Sequence, residues 1–177
     1  MKSKGAIAMH VIFWLIMLAI VVIDMLVSEH TVKDYIITDG IFGLLNVSIF
    51  YINYIILIPE LIQKRKKYWL YILAFLLLVL ATAAVKTVFA ALNPEDLLQG
   101  KDARGKIHHI SLNMYAVVVS FISGFFLVSS CIIKFSIDWF SNERVQRNLA
   151  IEKKDMELQF LKSQLKAHFL FNSLNNI

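Results

Sequence analysis

Apolar and charged residues are sharply segregated along this chain. The run from Gly5 to Ile23 carries no charged residue, and about 20 residues rising 1.5 Å each suffice to cross a bilayer core. It predicts a first membrane span over residues 5–27, with Lys2 and Lys4 ahead of it. No small-residue cleavage site follows, and the run exceeds the about 7–15 residues of a signal-peptide core, so it reads as uncleaved. Polar residues return from Ser28 to Asp39. A second span is expected over 40–58, closed by Pro59, whose ring removes a helical N–H and crowds the preceding turn. A third follows over 68–92 and a fourth over 110–133. Between them, Asn93-Pro94-Glu95-Asp96 reads as a short helix start: Asn as N-cap, Pro in the first helical position, acids in the first turn. Gly100 is expected to end it.

Lys64, Arg65, Lys66 and Lys67 form the densest basic cluster. Short cytoplasmic loops carry the Lys and Arg excess, so this cluster, the N-terminal lysines and everything after Lys134 are assigned to the cytoplasmic side. Tyr68, Trp69 and Tyr71 then sit where an aromatic belt would place them. The content is 58% hydrophobic and the mean hydropathy +0.65, above the roughly 45–50% apolar content of soluble domains; this is a membrane protein. The net charge of +5 describes topology, and no basic stripe interleaved with aromatics suggests direct binding of nucleic acid. The single cysteine, Cys131, excludes an internal disulfide. It lies in an apolar run and reads as a small buried hydrophobe.

Ionisable groups at membrane depth are costly and usually partnered. Asp24 and Lys86 lie at similar depth near the outer ends of their spans, so either they pair or each side chain snorkels to the outer interface. Asn46 and Asn53, seven apart, share a face of the second span and read as packing amides between helices. His10 stands alone in the first span in a packing role. His108, His109 and Asp102 offer metal-ligand chemistry, but adjacent histidines diverge and no third ligand stands at helical spacing, so no metal site is expected. The outer loops, 28–39 and 93–109, are too short for a sensing domain, leaving the bundle, the loops or a partner to read a stimulus.

From Gly124 onward the chain contains no further Gly and no Pro, so one helix is expected to continue from the fourth span. Residues 134–177 would form a rod of about 65 Å: a linker helix over 135–155, then a region from 156 to 177. Met156, Phe160, Ser163, Ala167, Leu170, Leu174 and Ile177 form a seam at alternating four- and three-residue spacing. Leu158, Leu161, Leu165 and Phe169 lie roughly opposite. A helix apolar on two sides packs against two neighbours, which suits a dimeric four-helix bundle. The fold class is therefore an all-α membrane protein, with four transmembrane helices and a long cytoplasmic helix that begins such a bundle. His168 and Asn172 fall at the edge of the second apolar face.

The last fourteen residues read QLKAHFLFNSLNNI. Gln164, His168, Phe169, Leu170, Phe171, Asn172, Leu174 and Asn175 stand as in the phospho-acceptor segment of the LytS/YehU-like sensor histidine kinases, which this stretch resembles. The family's usual motif, Q-I-x-P-H-F-L-F-N-x-L-N, has Pro where this chain has Ala167. The resemblance implies a bacterial inner-membrane protein with cytoplasmic termini, a parallel homodimer contacting membrane lipid, and autophosphorylation of His168 from ATP with Mg²⁺. It also implies transfer to the aspartate of a response regulator, often of LytTR type. Chemically, a largely neutral imidazole can offer a lone pair to the γ-phosphorus, and alignment and charge neutralisation carry the rest. Many histidine kinases have an acid after the histidine; here Phe169 stands there, so a base must come from elsewhere. Asn172 would position a phosphoryl oxygen or a water, or serve packing. No glycine-rich nucleotide loop occurs, so the chain is expected to lack the ATP-binding domain and to bind no cofactor itself. The alternative is a non-enzymatic membrane scaffold oligomerising through its cytoplasmic helix. A transporter fits less well, because no pair of spans is broken by Gly or Pro around central polar groups. A reporter active only outside the cytoplasm is expected to work when fused after Gly100; activity of a cytoplasm-only reporter there would overturn the topology.

Overall fold

The computed structural model describes residues 4–27, 36–101 and 107–174; the side chains of residues 4, 27, 38, 96, 100, 101, 107, 108 and 164–174 lie outside that description. Helix α1 is Lys4–Val27, α2 is Phe42–Ile52 flanked by π-helical segments Ile36–Ile41 and Asn53–Lys64, and α3 is Tyr68–Leu92. A single turn, α4, spans Pro94–Leu97; strands β1 (Gln99–Lys101) and β2 (Ile107–His109) follow, and α5 runs from Leu112 to Leu174. Four helical stretches are long and apolar enough to cross a membrane: Gly5–Leu26, Asp39–Lys64, Tyr68–Leu92 and Leu112–Ser163. The chain divides into two compact units, residues 1–135 and 136–177.

The second span does not end at Pro59. It continues to Lys64 in π-type turns, as the amide of Arg65 reaching back five residues to Glu60 (3.1 Å) and that of Lys67 reaching six to Leu61 (2.8 Å) attest. Pro is excluded from an α-helix by a missing donor and by collision with the carbonyl four residues back. Wider turns carry the backbone past that collision, as π-bulges do inside α-helices. Lys66 then adopts φ 53°, the left-handed conformation that turns the chain out of a helix, and α3 begins two residues later.

Asn93 precedes Pro94 as expected, but its side chain makes no cap bond to α4. Instead both its amide nitrogen (3.1 Å) and its Nδ2 (3.0 Å) donate to the Phe89 carbonyl, closing α3. The turn after it stops at Leu97, before Gly100, and Gly100 pairs with His108 in an antiparallel ribbon. That ribbon is the small departure from an all-helical chain; the amide of Ile110 seals it onto the Leu98 carbonyl at 2.8 Å. Ser111 then starts α5 by accepting the Met114 amide on its hydroxyl at 3.3 Å, the N-cap bond that satisfies an otherwise orphaned donor.

In the first unit, Ile37, Phe42, Ala90 and Leu97 form a buried cluster against which Leu45, Phe89, Leu98 and Tyr115 pack. Helix α1 joins its neighbours through rings: Phe13 stacks on Phe50 at 5.2 Å between centroids, Trp14 on Phe126 at 6.2 Å, and His10 meets Tyr54 edge-on at 4.7 Å. Trp14 Nε1 also donates to the Tyr51 hydroxyl at 3.1 Å. Phe50 is fully buried at the centre of these contacts. Because lipid tails are as apolar as a core, its contribution is the packing it fills. Phe50→Ala is expected to lower stability in detergent by about 2 kcal/mol, the cavity part of a large-to-small change. An unshifted thermal unfolding midpoint would contradict that packing.

Candidate functional site

The polar residues of spans two, three and four meet in two layers. In the first, Lys86 on α3 is 1% exposed, and its Nζ donates to Asn46 Oδ1 at 2.7 Å and to Ser123 Oγ at 3.2 Å. Ser123 passes its own proton to the Val119 carbonyl at 2.9 Å, which leaves its oxygen lone pairs for Lys86. The ring of Phe42 lies 5.9 Å from Nζ, within the range of a cation–π contact. Among the described residues no carboxylate pairs with Lys86. Neither expectation for Lys86 holds: it is not bonded to Asp24, whose residue is exposed, and it does not snorkel. The oxygens of Asn46 and Ser123 draw its head group inward, because a polar group inside an apolar bundle gains most from a partner it need not share with water.

The second layer centres on Asn53, which is fully buried. Its Nδ2 lies 2.9 Å from Ser130 Oγ, 3.2 Å from the Leu127 carbonyl and 3.3 Å from Cys131 Sγ, so two amide hydrogens are shared among three acceptors. Tyr71 donates its hydroxyl to Asn53 Oδ1 at 3.2 Å and lies 2.9 Å from Cys131 Sγ. With the Tyr71 proton on Asn53, the thiol becomes the donor to Tyr71, and the ring of bonds closes. Two expectations are corrected. Cys131 is half-buried with polar partners rather than a mere hydrophobe, and Tyr71 turns inward while Tyr68 and Trp69 stay exposed.

The layers obey one register. Asn46 and Asn53 are one heptad apart on the second span, Ser123 and Ser130 one heptad apart on α5. Ascending residues pair with ascending residues, so these two helices run parallel, and α3, offering Lys86 to the first layer and Tyr71 to the second, runs antiparallel to both. The paired asparagines were visible in the sequence as a packing face; the serines were not, because serine at heptad spacing is common in apolar helices. Their signal was the match between the two seven-residue intervals.

The phospho-acceptor candidates lie elsewhere. The backbone of His168 and Asn172 belongs to α5, which reaches Leu174 unbroken, while their side chains fall outside the described residues. On the described part of the second unit, Arg147 bonds Glu143 at 2.6 Å and Lys153 approaches Glu157 at 4.0 Å, both exposed pairs one turn apart. Val145, Leu149, Met156 and Phe160 are each more than half exposed. No protein-family model, curated protein or solved structure matches this chain.

Removing Asn53 leaves the Tyr71 hydroxyl with Cys131 as its one remaining partner among the described residues and takes the amide donor from Ser130. Asn53→Ala is expected to cost about 1–2 kcal/mol, given that single interhelical bonds in membrane bundles contribute about 0.6 on average. Lys86→Met, which keeps the volume and removes the buried head group, is expected to leave the unfolding midpoint equal or higher. A drop on Lys86→Met as large as that on Asn53→Ala would show that the lysine holds the bundle together.

Proposed function

We propose that this chain is the membrane and phospho-acceptor portion of a sensor histidine kinase, with His168 receiving the γ-phosphoryl group of ATP and passing it to the aspartate of a response regulator, such as one of LytTR type. The observation that carries this reading is the QLKAHFLFNSLNNI stretch, with its resemblance to the LytS/YehU-like phospho-acceptor segment. Its placement on the helix that begins as the fourth membrane-length stretch adds support, since α5 is one helix from Leu112 to Leu174. In this reading the chain sits in a bacterial inner membrane with both termini in the cytoplasm, as the distribution of Lys and Arg favours.

The reaction needs a neutral imidazole nitrogen in line with the γ-phosphorus. The forming N–P bond replaces the bond to the ADP oxygen, and the imidazole N–H proton leaves to a base. Phe169 cannot be that base. ATP and Mg²⁺ have to be held by a segment or chain carrying a nucleotide site, which residues 1–177 do not provide by motif. Asn172, one turn beyond His168, would hold a phosphoryl oxygen or order a water. The exposed apolar residues Val145, Leu149, Met156 and Phe160 favour a homodimer, because a solvated helix with an apolar stripe gains by covering it. A non-enzymatic scaffold would use the same stripe, so the histidine alone separates the two.

The test is labelling by γ-phosphate-labelled ATP in membranes that hold the protein together with its kinase domain, in cis or in trans. Acid-labile label is expected on the wild type and absent from His168→Gln, with dimerisation by cross-linking equal in both. Label that persists in His168→Gln removes the assignment; dimers without any label favour the scaffold.

A further inference from the structure

Only Arg65, Lys66 and Lys67 separate the helix ending at Lys64 from the one starting at Tyr68. With Lys64 they make four consecutive cations, all exposed. Among the described residues one carboxylate answers them: Glu60, whose oxygens hold Lys64 Nζ at 3.1 Å and Arg65 Nε at 2.8 Å. Arg65 thus keeps its two terminal amino groups outside that bond, and the ammonium groups of Lys66 and Lys67 have no partner among the described residues. The turn is folded back on itself by the Arg65 and Lys67 amides and by the left-handed Lys66. A three-residue connection between two membrane-length helices cannot lift these charges clear of the surface it turns in. Tyr68 and Trp69, 58% and 77% exposed, begin the next helix with the amphipathic rings that settle at headgroup depth.

Unpartnered cations held at the depth of lipid phosphates, beside interfacial aromatics, define a partner by chemistry. We propose that this turn is a binding surface for the phosphate of an anionic phospholipid, gripped by Lys66 and Lys67 with the Arg65 amino groups behind them. Guanidinium and ammonium donors both suit phosphate oxygens, and each cation near an anionic membrane surface strengthens binding roughly fivefold. Glu60 keeps Lys64 and Arg65 turned toward the helix, so Lys66 and Lys67 carry the selectivity. This surface is independent of phosphoryl transfer.

Mass spectrometry of the detergent-purified chain, counting retained phosphatidylglycerol against phosphatidylcholine, tests it. The wild type is expected to prefer phosphatidylglycerol, and Lys66→Gln/Lys67→Gln to weaken that preference about 25-fold, two cations at roughly fivefold each. Lys153→Gln/Lys154→Gln, which removes the same charge from the second unit, is expected to leave it unchanged. Equal retention in wild type and the Lys66/Lys67 variant, an equal loss in the control, or displacement of the lipid by millimolar glycerol phosphate overturns the proposal. Should the variant fold poorly by circular dichroism, a salt titration of the wild type decides. Preference lost as salt screens the turn supports it, and preference indifferent to salt refutes it.

Discussion

An amine buried among membrane-length helices without a carboxylate partner constrains everything around it. Hydrocarbon offers Lys86 no water, so its three potential donors must be met by protein, and Asn46, Ser123 and the Phe42 ring meet them. Those contacts lie on α2 and α5, so together with α3, which carries Lys86, three helices have their depths fixed against one another. The Asn53 layer repeats the constraint one heptad on. A rotation of α5 would strip Lys86 and Asn53 of their serine partners together, because Ser123 and Ser130 share one face. Sliding by a turn would do the same. The register of three helices, as distinct from the stability of their packing, is therefore specified by a handful of directed bonds rather than by the apolar surface that makes up most of each helix.

Helix α1 is attached by different means. Its contacts with the second span and α5 include His10, Phe13 and Trp14 against Phe50, Tyr51, Tyr54 and Phe126, with a hydrogen bond from Trp14 to Tyr51 among them. Ring pairs of this kind contribute about 0.5–1.5 kcal/mol each and tolerate offset geometries. The bundle thus combines three helices in a fixed polar register with a fourth that can shift its ring contacts at smaller cost. If a stimulus acts on this bundle, displacement of α1 disturbs the least.

Four apolar stretches were legible because a bilayer imposes one length and one composition, and each stretch in the structure overlaps one expected from the sequence, the second and fourth running on beyond residues 58 and 133. The errors arose where a local rule met a neighbouring helix. Pro59 ends an isolated α-helix, yet here wider turns carry the chain past it to Lys64. Asn93 stands at an N-cap position, yet the free carbonyl of Phe89 captured its amide. Depth and charge offer Lys86 either Asp24 or the outer interface, yet two neutral oxygens in register hold it instead. Tyr71 and Cys131 were read as belt and filler, since nothing in one helix announces a partner on another. Heptad spacing of Asn46 and Asn53 pointed to a face but not to what it faced.

The proposed phospho-acceptor segment is legible only through its resemblance to the LytS/YehU-like motif, and there its departure from that motif has physical content. Proline at the position of Ala167 would remove an amide from the helical ladder and press its ring against the carbonyl of Ser163, so a chain with the usual motif bends or breaks at the residue before its histidine. Alanine has the highest helix propensity of any residue and presents no such obstacle. The backbone of α5 accordingly remains helical through residue 167 to Leu174. An unbroken helix keeps the residues on either side of position 167 in one 3.6-residue register, so a rotation imposed before it is carried past it without a joint in which to dissipate. Where the family's proline would let the histidine segment pivot, this sequence ties His168 to the rotation of the helix that carries it.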